Sequence, residues 1–122
     1  MSLKKSIVAV DDSRIMLTTL EEMLSERYMF RGFSRAARAL NFIEQFQPSL
    51  VILDIDMPEM DGYTMLGRIR ENTKLKDIPV IFLTSNNEKD YVVKAMKYGI
   101  GGYVVKPIDK EILISRIEAL LS

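Results

Sequence analysis

The chain has 122 residues, 48% of them apolar, with 17 basic and 17 acidic side chains and neither cysteine nor histidine. That length suits one domain able to bury a core, and a net charge of zero gives no global attraction to nucleic acid or to an anionic membrane. The missing residue types exclude disulfides, thiolate nucleophiles, zinc–thiolate sites and histidine catalysis on this chain, and no apolar stretch is long enough for a membrane span or signal peptide, so a cytoplasmic address is the expectation.

In chain order, Ser6-Ile7-Val8-Ala9-Val10 has the composition of a strand over 6–10 and runs straight into Asp11-Asp12. Ser13 then caps a helix with Met16, Leu20, Met23 and Leu24 on one face, which leaves Ile15 and Leu17 partly outward. A second strand follows over 28–33. Ser34 is the expected cap of a second helix, with Ala37, Leu40, Ile43 and Phe46 inward, Arg35 and Arg38 on the solvated face, and an end before Pro48. Leu50-Val51-Ile52-Leu53 makes a third strand over 50–54 that ends in Asp54. After a turn at Asp61-Gly62, a third helix within 63–71 carries Met65, Leu66 and Ile69. Met57, Met60 and Met65 are expected to pack rather than to bind a metal.

Val80-Ile81-Phe82-Leu83 gives a fourth strand over 80–84 that ends in Thr84. A fourth helix over about 88–98 carries Val92, Val93 and Met96 and stops at Gly99. The fifth strand, over 102–106, holds Gly102-Tyr103-Val104-Val105 and ends at Lys106-Pro107. Asp109 caps a last helix through Ile112, Leu113, Ile117, Leu120 and Leu121. Five βα units with short connections and right-handed crossovers predict one α/β domain over 1–122, a doubly wound (βα)5 parallel sheet with helices on both faces. In such a sheet all strands point one way, so Asp11, Asp12, Asp54, Thr84 and Lys106 converge on the edge where open α/β sheets bind ligands.

These residues resemble a family. Val10-Asp11-Asp12, the run Leu53-Asp54-Ile55-Asp56-Met57-Pro58-Glu59-Met60-Asp61-Gly62, Leu83-Thr84-Ser85 and Gly102-Tyr103-Val104-Val105-Lys106-Pro107 are similar, in that order and spacing, to the receiver domains of two-component response regulators, the CheY-like superfamily. The resemblance covers nearly the whole chain and implies the strand order 2-1-3-4-5. It implies phosphorylation of Asp54 by a sensor histidine kinase or a histidine phosphotransfer protein. The reader of that signal would be a downstream effector, an output domain from which this chain is excised, or a phosphorylation-dependent homodimer.

The chemistry also follows from the residue types. Three carboxylates at one edge exceed what the Lys106 ammonium can neutralise, so a hard divalent cation is expected; all-oxygen ligation selects magnesium, or manganese in its place. Asp54 is then the nucleophile, with Lys106, Thr84 and backbone N–H groups neutralising and positioning the phosphoryl group. The resemblance further implies direct metal ligation by Asp12 and Asp54, ligation by Asp11 through water and by Asp56 through its backbone carbonyl. It makes Thr84 and Tyr103 a switch pair, has Ser85, Asp56 and Asn86 tune phosphate access and lifetime, suggests a cis Lys106–Pro107 bond, and leaves Ile15 and Leu17 for partner docking. Ile108 and Gly101-Gly102 depart from the family's commoner Phe and Asp-Asp. The alternative is a haloacid-dehalogenase-like phosphohydrolase using Asp54 and Asp56, though its closing acidic pair would lie late in the chain rather than at Asp11-Asp12.

Overall fold

The computed structural model describes residues 4–55, 57–85 and 101–122. Its strands are β1 (Ser6–Val10), β2 (Met29–Phe33), β3 (Leu50–Asp54), β4 (Val80–Thr84) and β5 (Gly102–Val105), all parallel, in the order β2-β1-β3-β4-β5. Between them run α1 (Arg14–Leu24), α2 (Ala36–Phe46) and α3 (Gly62–Glu71), and a C-terminal helix, Lys110–Leu121, follows β5. The expected helix over 88–98 lies outside the described residues, as do Asp56 and Asn86.

Every residue of β3 and β4 is buried, because these inner strands are covered on both faces, and that is why they read as unbroken apolar runs. Side chains alternate between the two layers. Val8, Val10, Val51, Leu53 and Phe82 pack with Ala39 and Ile43 of α2 and Met65, Leu66 and Ile69 of α3. Ile7, Ala9, Ile52, Ile81 and Leu83 face α1 through Leu20 and Leu24, and the C-terminal helix through Leu113 and Ile117. Each fully buried large aliphatic side chain of this kind contributes roughly 1.5–3 kcal/mol.

Two caps are as the sequence suggests, Ser13 Oγ accepting from Met16 N (3.2 Å) and Asp109 Oδ1 from Ile112 N (3.1 Å), and Asp61, expected only as a turn residue, also caps α3, its Oδ1 accepting from Thr64 N (2.7 Å). The second helix departs from expectation. Its N-cap is Arg35, without a side-chain cap bond, and not Ser34. Its buried face is Ala36, Ala39 and Ile43, whereas Ala37 is exposed and Phe46 is 64% exposed. The physical reason is size: small alanines let the helix sit close over Val8 and Val10, and that sets a rotation which the spacing of the large apolar residues does not reveal. At its other end Gln47 takes the left-handed conformation (φ 46°), closing the helix before Pro48.

Gly62 fixes the start of α3 against the end of β3. Its N–H donates to Ile55 O at 2.8 Å, and a Cβ there would lie 2.7 Å from Asp54 O and 2.9 Å from Ile55 Cα, so a side chain could not occupy this position without displacing backbone.

Candidate functional site

The register brings the strand ends together. Val10 pairs with Leu53, Asp54 with Leu83 and Thr84 with Val105, so the residues that follow or close these strands share one edge of the sheet. Asp11 is fully buried there. Its N–H donates to Phe33 O (3.0 Å), and its Oδ1 accepts from Ser13 N (2.9 Å), a local turn that holds the carboxylate before α1 begins. Asp12 is exposed, and Asp54 is 5% exposed. Carboxylate oxygens from Asp11, Asp12 and Asp54 all lie within 4.8 Å of one another.

Lys106 closes this group. Its N–H donates to Thr84 O (2.7 Å), the bond to Pro107 is cis, and Nζ reaches Asp11 Oδ2 at 3.0 Å and Asp54 Oδ1 at 3.4 Å. Burial alone would lower the lysine pKa, but contact with Asp11 and the charge of Asp54 outweigh it and hold the ammonium above the ordinary lysine value. The Asp11 contact is ionic without the alignment of a hydrogen bond, so Oδ2 stays buried without a directed donor. A buried carboxylate oxygen in that condition, beside two further acids, suits a hard divalent cation: the donor set is all oxygen and one ammonium leaves negative charge in excess.

The remaining expected residues are placed as follows. Thr84 is buried at the end of β4, next to Ser85, which is exposed. Tyr103 is half-buried, pairs with Phe82 and packs on the α2–α3 layer, so it lies on the strand adjacent to Thr84. Ile15 is 81% exposed, while Leu17 is half-buried against the β2 face, 3.2 Å from where a Cβ on Gly32 would stand. Met57 and Met60 pack on the core and Met65 belongs to it.

One feature at this edge escaped the sequence. Arg35 is not merely solvated: its Nε and Nη2 reach Glu59 Oε1 and Oε2 at 3.0 and 3.1 Å, joining the loop after β2 to the loop after β3. Nothing local announces a contact between positions so far apart; the only hint was that both fall in loops at the same end of parallel strands.

The family profile described as "Response regulator receiver domain" matches residues 7–118. The chain belongs to the response regulator receiver family. Chemotaxis protein CheY1 of Helicobacter pylori is 29% identical over 122 residues, covering 94% of this receiver and 95% of that protein. A Vibrio cholerae protein named "Probable cyclic di-GMP phosphodiesterase" is 34% identical over 116 residues, 95% of this receiver but only 26% of the longer protein. Among solved structures, the signal receiver domain of a signal transduction histidine kinase from Syntrophus aciditrophicus matches with a TM-score of 0.86 at 31% identity, over 96% of this receiver and 89% of that chain. The haloacid-dehalogenase reading finds no support in these relatives. Receiver domains generally use magnesium held by acidic residues, and this receiver presents the Asp11, Asp12 and Asp54 cluster. No described helix is long and apolar enough to cross a membrane.

Proposed function

We propose that this receiver, acting as one unit over 1–122, takes a phosphoryl group from a partner's phosphohistidine onto Asp54 in a magnesium-dependent reaction, and that the group is later lost by slow hydrolysis. The observation that carries the reading is the buried Asp11–Lys106–Asp54 arrangement with Asp12 beside it. Asp12 and Asp54 would hold the metal directly, Asp11 through water and Asp56 through its carbonyl; manganese could substitute. Bound there, the cation neutralises charge on the carboxylates and on the incoming phosphoryl oxygens.

The chain's own groups account for the rest. Asp54 supplies the attacking oxygen, so a bond forms from its carboxylate to phosphorus while the bond from phosphorus to the donor's imidazole nitrogen breaks and the electron pair leaves with the imidazole. Lys106, held charged by its neighbours, faces the negative charge that the phosphoryl group brings. Ser85, Asp56 and Asn86 would tune phosphate access and the lifetime of the product. The Thr84 hydroxyl, drawn toward the new oxygens, vacates space that Tyr103 enters. That would reshape the surface formed by the predicted fourth helix, β5 and the C-terminal helix, the face read by an effector, an output domain or a second copy. Ile15, with half-buried Leu17 on the same helix, offers an apolar contact for the histidine kinase or phosphotransfer protein beside the site. The zero net charge argues against direct nucleic-acid binding by this unit, and a cytoplasmic location fits phosphoryl transfer from a histidine kinase.

The test is intact-protein mass after incubation with acetyl phosphate and magnesium. One added phosphoryl group is expected, lost in Asp54→Asn and strongly reduced in Asp12→Ala or with EDTA. Labelling that persists in Asp54→Asn overturns the assignment, and multiple turnover of p-nitrophenyl phosphate would revive the phosphohydrolase. For the switch, Thr84→Ala should accept a beryllofluoride mimic yet leave amide signals of 101–106 unmoved; wild-type-like shifts there break the coupling.

A further inference from the structure

The outer edge of β2 lies at the opposite side of the sheet from β5, and among the described residues no strand pairs with it. Its inner edge is satisfied: Met29 N–H donates to Lys5 O (2.9 Å), and Phe33 O accepts from Asp11 N (3.0 Å). Alternation along a parallel strand then turns the N–H and C=O groups of Phe30 and Gly32 outward. Met29, Arg31 and Phe33 align with Ser6, Val8 and Val10, so their side chains lie on the α2 face of the sheet. There the helix does not reach the edge, and a groove of about 620 Å3 opens between β2 and the end of α2. Phe42 and Phe46 stack along it with centroids 4.6 Å apart, and Met29 and Phe46 are 62% and 64% exposed. The Arg31 guanidinium lies 4.8 Å from the Phe42 centroid and 5.6 Å from that of Phe33. Lys4 adds a second cation to the lining, which contains no acid.

We infer that this edge and groove bind an extended, acidic–apolar segment of a partner protein, which adds as a strand beside β2. Its backbone would pair with Phe30 and Gly32, its aliphatic side chains would cover Met29 and Phe46, and its carboxylate would meet Arg31 and Lys4. Charge decides the occupant. Arg31 is the middle residue of β2, so antiparallel pairing of two copies over the full strand would set Arg31 against its own copy, like charges directly opposite, which disfavours a homodimer in that register. An acidic segment converts the same residue into an attraction. The groove lies at the amino ends of β1 and β2, opposite the strand ends that carry the carboxylate cluster, and the inference does not depend on the phosphoryl reading.

The probe is the peptide Leu-Val-Glu-Val-Leu, which places its glutamate opposite Arg31 and its leucines beside Met29 and Phe33. Added to the 15N-labelled protein, it should shift amide signals of 29–33 and 42–46 and slow hydrogen exchange at Phe30 and Gly32. Its lysine counterpart should bind at least about tenfold more weakly, and Arg31→Glu should reverse that preference while leaving acetyl phosphate labelling unchanged. The inference is overturned by an absence of shifts in 29–33 at millimolar peptide. It is equally overturned by shifts without exchange protection at Phe30 and Gly32, the pattern of a helix lying in the groove, or by protection that grows with protein concentration alone, the pattern of a second copy.

Discussion

Two parts of this sheet carry charge in opposite ways. At the carboxyl ends of β1 and β3, Asp11 and Asp54 are buried and are held by a lysine that arrives from beyond β5. On β2, Arg31 is exposed and rests on aromatic rings at the sheet's margin. A buried charge loses its water and must find a counter-ion, so its position is specified by several strands at once; an exposed charge keeps its water and answers to local packing alone. The first region is therefore fragile to substitution and the second is tolerant, and that difference can be measured.

The widest contrast is expected in labelling by acetyl phosphate: complete loss in Asp54→Asn, wild-type behaviour in Arg31→Glu, read by intact mass. Next, Lys106→Ala should destabilise the protein by about 2–3 kcal/mol in EDTA, less than removing one partner of a fully buried pair costs, since 22% of the lysine side chain is exposed. Magnesium should return part of that loss in urea unfolding, whereas it should do nothing for Arg31→Ala. A somewhat smaller effect, about 1–3 kcal/mol, is expected for Gly62→Ala, because the added methyl meets the backbone of Asp54 and Ile55. Labelling should slow in this variant as well, since the strain falls on the acceptor residue itself.

The smallest effect concerns the exposed pair at the rim. The hydrogen bond from Arg35 outweighs the opposing effect of burial and, with the charge of the guanidinium, holds the Glu59 carboxyl below its ordinary value of 4.5. A depressed carboxyl contributes stability above its unfolded pKa and loses it as pH falls through the folded one. The difference in urea midpoint between wild type and Glu59→Gln should thus be small at neutral pH, begin to narrow as pH drops below 4.5 and vanish further down. A gap that widens on acidification would show that the pair is not the cause.

The same contrast explains what the sequence made legible. β3 and β4 announce themselves because covering both faces demands continuous apolar runs, and the site announces itself because acids that end such runs are costly without a purpose. β2 and α2 are harder to read. The rotation of α2 is set by Ala36 and Ala39, whose spacing carries little hydrophobic signal, so Phe46 seems an inward residue by size and is in fact an outward one. The Arg35–Glu59 contact was hidden for a different reason: two flexible, exposed side chains from separate loops leave no trace in local periodicity. The half-burial of Leu17 depends on Gly32 of the neighbouring strand, another fact of tertiary placement.

The register of β1 bears on how the protein is made. Ile7 pairs with Phe30 on one side and Leu50 on the other, so β1 waits for β3 before both of its flanks are complete. Asp11 and Asp54 are in place once those strands assemble, but the ammonium that stands between them, on Lys106, follows Asp54 by 52 positions. During synthesis the growing polypeptide thus holds both acids without their counter-ion until the residues beyond β5 are made. Only a polypeptide that has passed β5 can close the cluster, so the order of translation itself postpones the assembled site until that strand is made.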